Sequence, residues 1–140
     1  MRVVLLIILF GISGYAFAES QDKFLQCMAG LKNDGRLSSI ASRVTLDGQG
    51  ATSQKMLADK ERPDEQQKLA ITEWIDARSQ CVNLGPTSTS IDLHMAFVSI
   101  VADLYNGQMT FGEFNKKWQA MIKKKNGTNI HEKIHGQPAK

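Results

Sequence analysis

The clearest hydrophobic pattern lies in residues 63–81, where apolar side chains recur at steps of three and four. Trp74 and Cys81 fall on one face of the resulting helix, and Ile71 and Arg78 share that face with them. This spacing predicts an amphipathic α-helix that buries one side. Because the face holds the largest side chain of the segment and one of only two cysteines, we expect the other helices to pack against it.

Helical spacing also recurs on both sides of this segment. It predicts a first helix at residues 20–31, short helical turns between residues 33 and 62, and longer helices at residues 91–106 and 110–126. No stretch shows the sustained alternation of apolar and polar residues that is typical of strands. The pattern therefore predicts an all-α fold, a small bundle of three long helices with one or two short ones.

Two further details predict how the long helices are placed. The segment 91–106 is apolar on nearly every side, which is typical of a helix in the middle of a bundle. Thr110 and Glu113 have the spacing of a capping box and predict where the next helix begins. Gly127 is expected to end that helix. The short link between the two helices favours an antiparallel hairpin.

The beginning of the chain has the composition of a cleavable signal peptide. Arg2 precedes a continuous apolar run, and Ala16 and Ala18 fit the small-residue pattern of a cleavage site. The sixteen residues at positions 3–18 are fewer than the roughly 20 that span a bilayer, so no transmembrane anchor is expected after cleavage. The protein is therefore expected to be periplasmic or secreted.

This interpretation divides the chain into three parts. We expect a signal peptide at residues 1–18, a helical domain at 19–125 and a flexible C-terminal tail at 126–140. Both cysteines, Cys27 and Cys81, lie after the leader. In an exported chain an even pair of cysteines is first interpreted as a disulfide, so we expect these two to be bonded.

Charge is unevenly distributed along the expected mature chain. Residues 19–115 carry nine Lys and Arg against thirteen Asp and Glu, whereas residues 116–140 carry seven Lys against one Glu. The basic end is a candidate contact for an anionic lipid, a polyanion or an acidic protein. The lysines that would make this contact are Lys116, Lys117, Lys123, Lys124 and Lys125. A solvated helix face followed by a soluble tail accounts for the same residues. Without Arg or interleaved aromatic residues in the cluster, nucleic acid is not expected as a partner.

The sharpest chemical motif lies near the end of the chain. His131, Glu132 and His135 match the H-E-x-x-H pattern, in which two imidazoles one helical turn apart bind zinc and the glutamate activates the bound water. Such a site needs a third ligand, and the five residues after His135 include none of the usual ligand types. A zinc-dependent hydrolase is therefore kept as an alternative to a non-catalytic function, and no metal or other cofactor is expected.

Three other features favour structural interpretations. Residues 105–114 resemble the second half of an EF-hand loop, but two positions that need carboxylates hold Ala and Leu, so calcium is not expected. His94 lies on an apolar helix without a second ligand at metal-binding spacing, and we expect a structural histidine. Trp74 and Trp118 are expected in the core, and a small-ligand carrier with its pocket between the helices around them is a further alternative.

Residues 62–85, together with residues 102–107 and 110–115, resemble a type of small exported bacterial helical protein that is uncharacterised. The resemblance implies a bacterial envelope setting and transfers no catalytic residues. We therefore expect an exported, non-catalytic helical binding or accessory protein of the cell envelope. Its partner is an unidentified protein or an anionic surface.

Overall fold

The described part of the chain consists of helices joined by turns and irregular loops. A computed structural model describes the backbone of residues 13–48 and 52–135, and the side chains of residues 19–48 and 52–127. Within these ranges there is no strand, so the predicted all-α fold is confirmed. The helices are α1 Ser13–Gly30, α2 Gln54–Leu57, α3 Glu65–Leu84, α4 Ser88–Tyr105 and α5 Phe111–His135, and two 3-10 turns, Leu31–Asn33 and Gly35–Leu37, follow α1.

Helix α3 is the element around which the others are arranged. It packs against α1, α4 and the 3-10 turn Gly35–Leu37. Its predicted inner face is buried, with Ile71, Trp74 and Cys81 almost inaccessible to solvent. Cys27 of α1 and Cys81 form a disulfide whose Cα atoms are 5.4 Å apart. The predicted disulfide is thus confirmed, and it links the first helix to the core.

An aromatic cluster from three helices fills the centre of the core. Trp74 of α3 makes edge contacts with Phe97 of α4, at 4.7 Å between ring centroids, and with Phe114 of α5, at 5.8 Å. Trp118 of α5 makes an edge contact with Phe97 at 5.7 Å. The indole Nε1 of Trp74 donates a hydrogen bond to the Leu46 carbonyl at 3.0 Å, so the polar end of this buried ring is satisfied.

Capping boxes fix where helices α3, α4 and α5 begin. Asp64 caps α3 and Thr87 caps α4, each in a reciprocal pair with the residue three positions later. Thr110 and Glu113 form the predicted box at the start of α5, with hydrogen bonds of 2.7 and 3.2 Å. These bonds satisfy backbone N–H groups that the first helical turn leaves unpaired.

The segment between α1 and α3, residues 31–64, covers one end of α5. Leu37, Ile40 and Val44 are buried there, although the backbone forms turns rather than a regular helix. Asn115 of α5 is buried and its amide donates to the Arg43 carbonyl at 2.8 Å and to the carbonyl of Met56 at 3.0 Å. A single side chain of α5 thus satisfies two backbone acceptors of the covering segment.

Helix α4 does not lie in the middle of the bundle, so that expectation was wrong. Phe97, Val101 and Leu104 are buried, but Met95 is 66% exposed and Tyr105 is 40% exposed. Helix α4 packs mainly against α3 and α5, and the apolar side chains that these two helices do not cover remain exposed. Apolar side chains alone do not require a third neighbour, because much of any folded surface is apolar.

Helix α5 also differs from its predicted length. The backbone continues through Gly127 as far as His135, so the expectation that Gly127 ends the helix was wrong. A glycine inside a helix costs about 1 kcal/mol relative to alanine, which a long helix can absorb. Helix α1 likewise begins at Ser13, so its first residues overlap the predicted leader.

Candidate functional site

The lysines that the sequence singled out lie on α5, and the helical period sorts them into sets. Lys116 and Lys123 are seven residues apart, which is two turns and about 10.5 Å, so their side chains leave the helix in one direction. Lys117 and Lys124 form a second such pair about a quarter-turn away. All four are exposed, because the core positions of α5 lie on the opposite side. We call these four residues the basic face.

Nearby acidic side chains from α4 reduce the net charge on one edge of this surface. The Lys117 ammonium lies 3.5 Å from a carboxylate oxygen of Asp103, and that of Lys125 lies 3.9 Å from Asp92. Lys125 is about one-third exposed and faces α4, so it is separated from the basic face. The structure therefore divides the predicted five-lysine cluster: Lys125 faces α4, whereas the other four are exposed, with Lys117 at the edge that contacts Asp103 of α4.

Helix α5 supplies no acidic residue of its own between the first and the last lysine of this surface, although Glu113 lies close enough to Lys116 to interact with its charge. Between Glu113 and Glu132 the sequence contains no Asp or Glu. Glu113 accepts the Thr110 backbone N–H, and this hydrogen bond holds the pKa of its carboxyl below the usual range. Its charge therefore sits at the positive end of the helix dipole, where it stabilises the first turn. The positions between the two lysine pairs include Ala120, which is small and exposed.

The H-E-x-x-H motif lies in the last turn and a half of α5. The helical backbone places residues 131 and 135 one turn apart, as zinc binding would need. The side chains of His131, Glu132 and His135 lie outside the described residues, so the zinc hypothesis stays a prediction. In the part of the chain whose side chains are described, no group of three His, Cys, Asp or Glu residues could hold a metal ion.

The two tryptophans are core residues, as expected, and each is in van der Waals contact with its neighbours. Trp74 is 1% exposed and Trp118 is 6% exposed. An open pocket of about 270 Å³ lies elsewhere, between residues 44–47 and Met56, with Lys32 at its rim. Neither tryptophan lines this pocket, so it gives no support to a ligand site around them.

The structure adds one residue whose chemistry the sequence did not indicate. Arg78 of α3 is only 5% exposed, and its guanidinium lies over the ring of Phe97 at 4.1 Å and near Trp118 at 5.3 Å. Burial lowers the pKa of Arg78 to about 10, a shift that the negative charge of Asp47 partly opposes. The helical period placed Arg78 on the buried face, but it could not show which aromatic rings would surround it.

His94 lies beside the same cluster. Its ring stacks on Phe97, with 6.2 Å between ring centroids and an angle of 26° between the planes. The pKa of His94 is lowered mainly by partial burial and in addition by the positive charge of Arg78. Its Nδ1 atom is buried without a hydrogen-bond partner, so this nitrogen of the expected structural histidine is unsatisfied.

No protein-family model, curated protein or solved structure matches this chain. The resemblance to small exported bacterial helical proteins therefore stays a prediction. None of the helices in the described part of the chain is both long enough and apolar enough to cross a bilayer.

Proposed function

We propose that this chain is an exported, non-catalytic helical binding or accessory protein of the cell envelope, and that it contacts an anionic surface through the basic face. The observation that carries the proposal is the arrangement of Lys116, Lys117, Lys123 and Lys124 on the outer side of α5. These charges are set on a rigid helix by core residues on the opposite side, and α5 contributes no acidic residue between them.

The chemistry of the basic face is better suited to a partner surface with many negative groups than to a single bound anion. Lysine is a compact charge on a flexible stem, and it lacks the planar fork by which arginine recognises a single carboxylate or phosphate. Ala120 leaves room between the lysines for a flat partner to approach. Anionic phospholipid is the partner that this geometry favours, and each lysine near such a bilayer contributes about 1 kcal/mol.

Flotation with lipid vesicles tests the proposal. The mature chain should float with phosphatidylglycerol vesicles and not with phosphatidylcholine vesicles, and binding should weaken as salt is raised. The double variant K116Q/K123Q should bind phosphatidylglycerol about 30-fold more weakly, because two contributions of about 1 kcal/mol are removed.

A matched control distinguishes an effect of the basic face on binding from an effect of the protein's net charge. The variant K23Q/K68Q removes two lysines from α1 and α3, each of which pairs with a glutamate on its own helix. It should bind vesicles nearly as well as the wild type. If the two double variants weaken binding equally, the basic face is not the contact. If the wild type does not float at all, anionic lipid is not the partner.

The zinc-dependent hydrolase remains the alternative, because α5 stays helical through the H-E-x-x-H motif. Metal analysis of the purified protein distinguishes the two functions. Stoichiometric zinc that is lost in an H131A variant would favour the hydrolase. Its absence, together with vesicle binding, would favour the proposal made here.

A further inference from the structure

Three buried polar atoms in the described part of the chain have no hydrogen-bond partner, and they belong to two residues that meet at one ring. They are Nε and Nη1 of Arg78 and Nδ1 of His94. Both side chains lie against Phe97, the arginine from α3 and the histidine from α4. Buried nitrogens of this kind are uncommon in folded proteins and call for a physical explanation, such as an ion or water that completes the site.

A second arginine in the same protein shows what a completed site looks like. Arg43 also lies over an aromatic ring, that of Phe111, at 5.2 Å. Its Nη1 donates to a carboxylate oxygen of Asp59 at 2.7 Å, so both the face and the edge of this guanidinium have partners. Arg43 is the more exposed of the two, at 29% of its side chain. The more deeply buried Arg78 has the aromatic contact without the carboxylate.

The aromatic rings leave the in-plane N–H groups of Arg78 unsatisfied. A ring face attracts the cation above it, but it does not replace a hydrogen-bond acceptor at the edge of the guanidinium. The negative charge of Asp47 acts on Arg78, but a carboxylate oxygen of Asp47 also lies 3.4 Å from the Lys32 ammonium. The charge of Asp47 is therefore shared, and the cation of Arg78 is incompletely balanced.

We propose that Arg78 and His94 form a binding site for a small oxyanion, a carboxylate or a phosphate. The anion would accept an N–H from Nε of Arg78 and one from Nδ1 of the His94 imidazole, so one ligand would satisfy an unpaired nitrogen of each residue. Hydrogen bonds from a cation to an oxyanion are among the strongest in proteins, and the low-polarity surroundings of Phe97 and Trp118 strengthen them. The site is independent of the basic face.

The packing around the site limits the size of its ligand and its direction of approach. Gly48 closes one side, since a side chain there would begin only 3.1 Å from Nη1 of Arg78. His94 is half-buried, whereas Arg78 is buried, so we expect the anion to enter from the side of α4. The close contacts of Arg78 with both rings favour a small ion, such as acetate or inorganic phosphate, over a larger ligand.

Titration of the mature, disulfide-bonded chain with sodium acetate and with sodium phosphate tests this site, with sodium chloride at equal ionic strength as the control. The ¹H–¹⁵N resonance of the Arg78 Nε group should shift in a saturable way with at least one of the two oxyanions and not with chloride. If only acetate shifts the resonance, the site prefers a carboxylate, and if only phosphate does, the site prefers a phosphate. The resonance of Arg43 Nε should stay in place, because that guanidinium already has Asp59.

Two matched variants complete the test. R78M keeps the length and the apolar stem of the side chain, and it should weaken binding of the effective anion by about tenfold or more, since a charge-assisted hydrogen bond is lost. R43M removes the other ring-stacked arginine and should bind the anion as the wild type does. The proposal is overturned if Arg78 Nε of the wild type does not move with either oxyanion. It is equally overturned if folded R78M binds the effective anion as tightly as the wild type, measured from the saturable shift of the His94 side-chain resonances in both proteins.

Discussion

The disulfide between Cys27 and Cys81 should supply a large part of the stability of this small bundle. The bond joins residues 54 positions apart, and the loss of loop entropy in the unfolded chain then corresponds to about 4 kcal/mol. Domains of this size have unfolding free energies of about 5–15 kcal/mol, so reduction should bring the bundle close to its limit of stability. The disulfide also links α1 directly to α3.

Urea unfolding of the oxidised and the reduced wild type measures this contribution directly. Both forms keep the same side chains in the core, so the comparison isolates the cross-link from any cavity. Fluorescence of the buried Trp74 reports the transition, and the dependence of the unfolding free energy on urea should steepen on reduction, because the unlinked chain exposes more surface.

Two variants control for the chemistry of the thiols. C27A and C27A/C81A both lack the cross-link, and their unfolding free energies should differ from each other by much less than either differs from that of the oxidised wild type. If the oxidised and reduced proteins unfold within about 1 kcal/mol of each other, the loop-entropy account of this bundle is wrong.

Three further predictions concern single side chains. Gly48 and Gly107 both have positive φ, at 68° and 69°, but only Gly48 contacts Arg78. G107A should lower the unfolding free energy by about 1 kcal/mol, from backbone strain alone, and G48A should lower it by more. Equal losses in the two variants would contradict the contact with Arg78. N115A should cost about 2 kcal/mol or more in urea unfolding, because two backbone carbonyls lose their donor; a loss below 0.5 kcal/mol would refute the role given to this amide. The pKa of His94 is lowered in the folded protein, so the unfolding free energy should fall as pH drops through about 6.5 and level off below the folded pKa. H94Q should lack this decline. If the unfolding free energies of H94Q and the wild type depend on pH in the same way, the burial of the His94 ring is contradicted.

The features that the sequence predicted correctly are those with a local or a chemical signature. The face of α3 follows from its helical period, and the box of Thr110 and Glu113 follows from the spacing of an acceptor and a carboxylate. The bond between Cys27 and Cys81 follows from their number and from the expected compartment. Each of these needs only neighbouring residues or a count, so no knowledge of the packing was required.

The features that the sequence predicted wrongly depend on neighbours distant in the chain. The apolar surface of α4 indicated a central helix, but the number of helices that surround it is a property of the bundle, and Met95 is left exposed. Gly127 lowers helical preference locally, yet α5 continues through it. Arg78 could be placed on a buried face, whereas its contacts with Phe97 and Trp118 involve residues 19 and 40 positions away. Short-range patterns contain no information on such pairs.

The account depends most on export of a chain whose helical bundle is then fixed by one disulfide. Intact-mass measurement of the protein recovered after expression with its leader, with and without alkylation of free thiols, tests this directly. The account predicts a chain that begins at Glu19 and takes up no alkylating reagent before reduction, but two equivalents after it. A chain that retains its first residues and is alkylated at both Cys27 and Cys81 without reduction would contradict it.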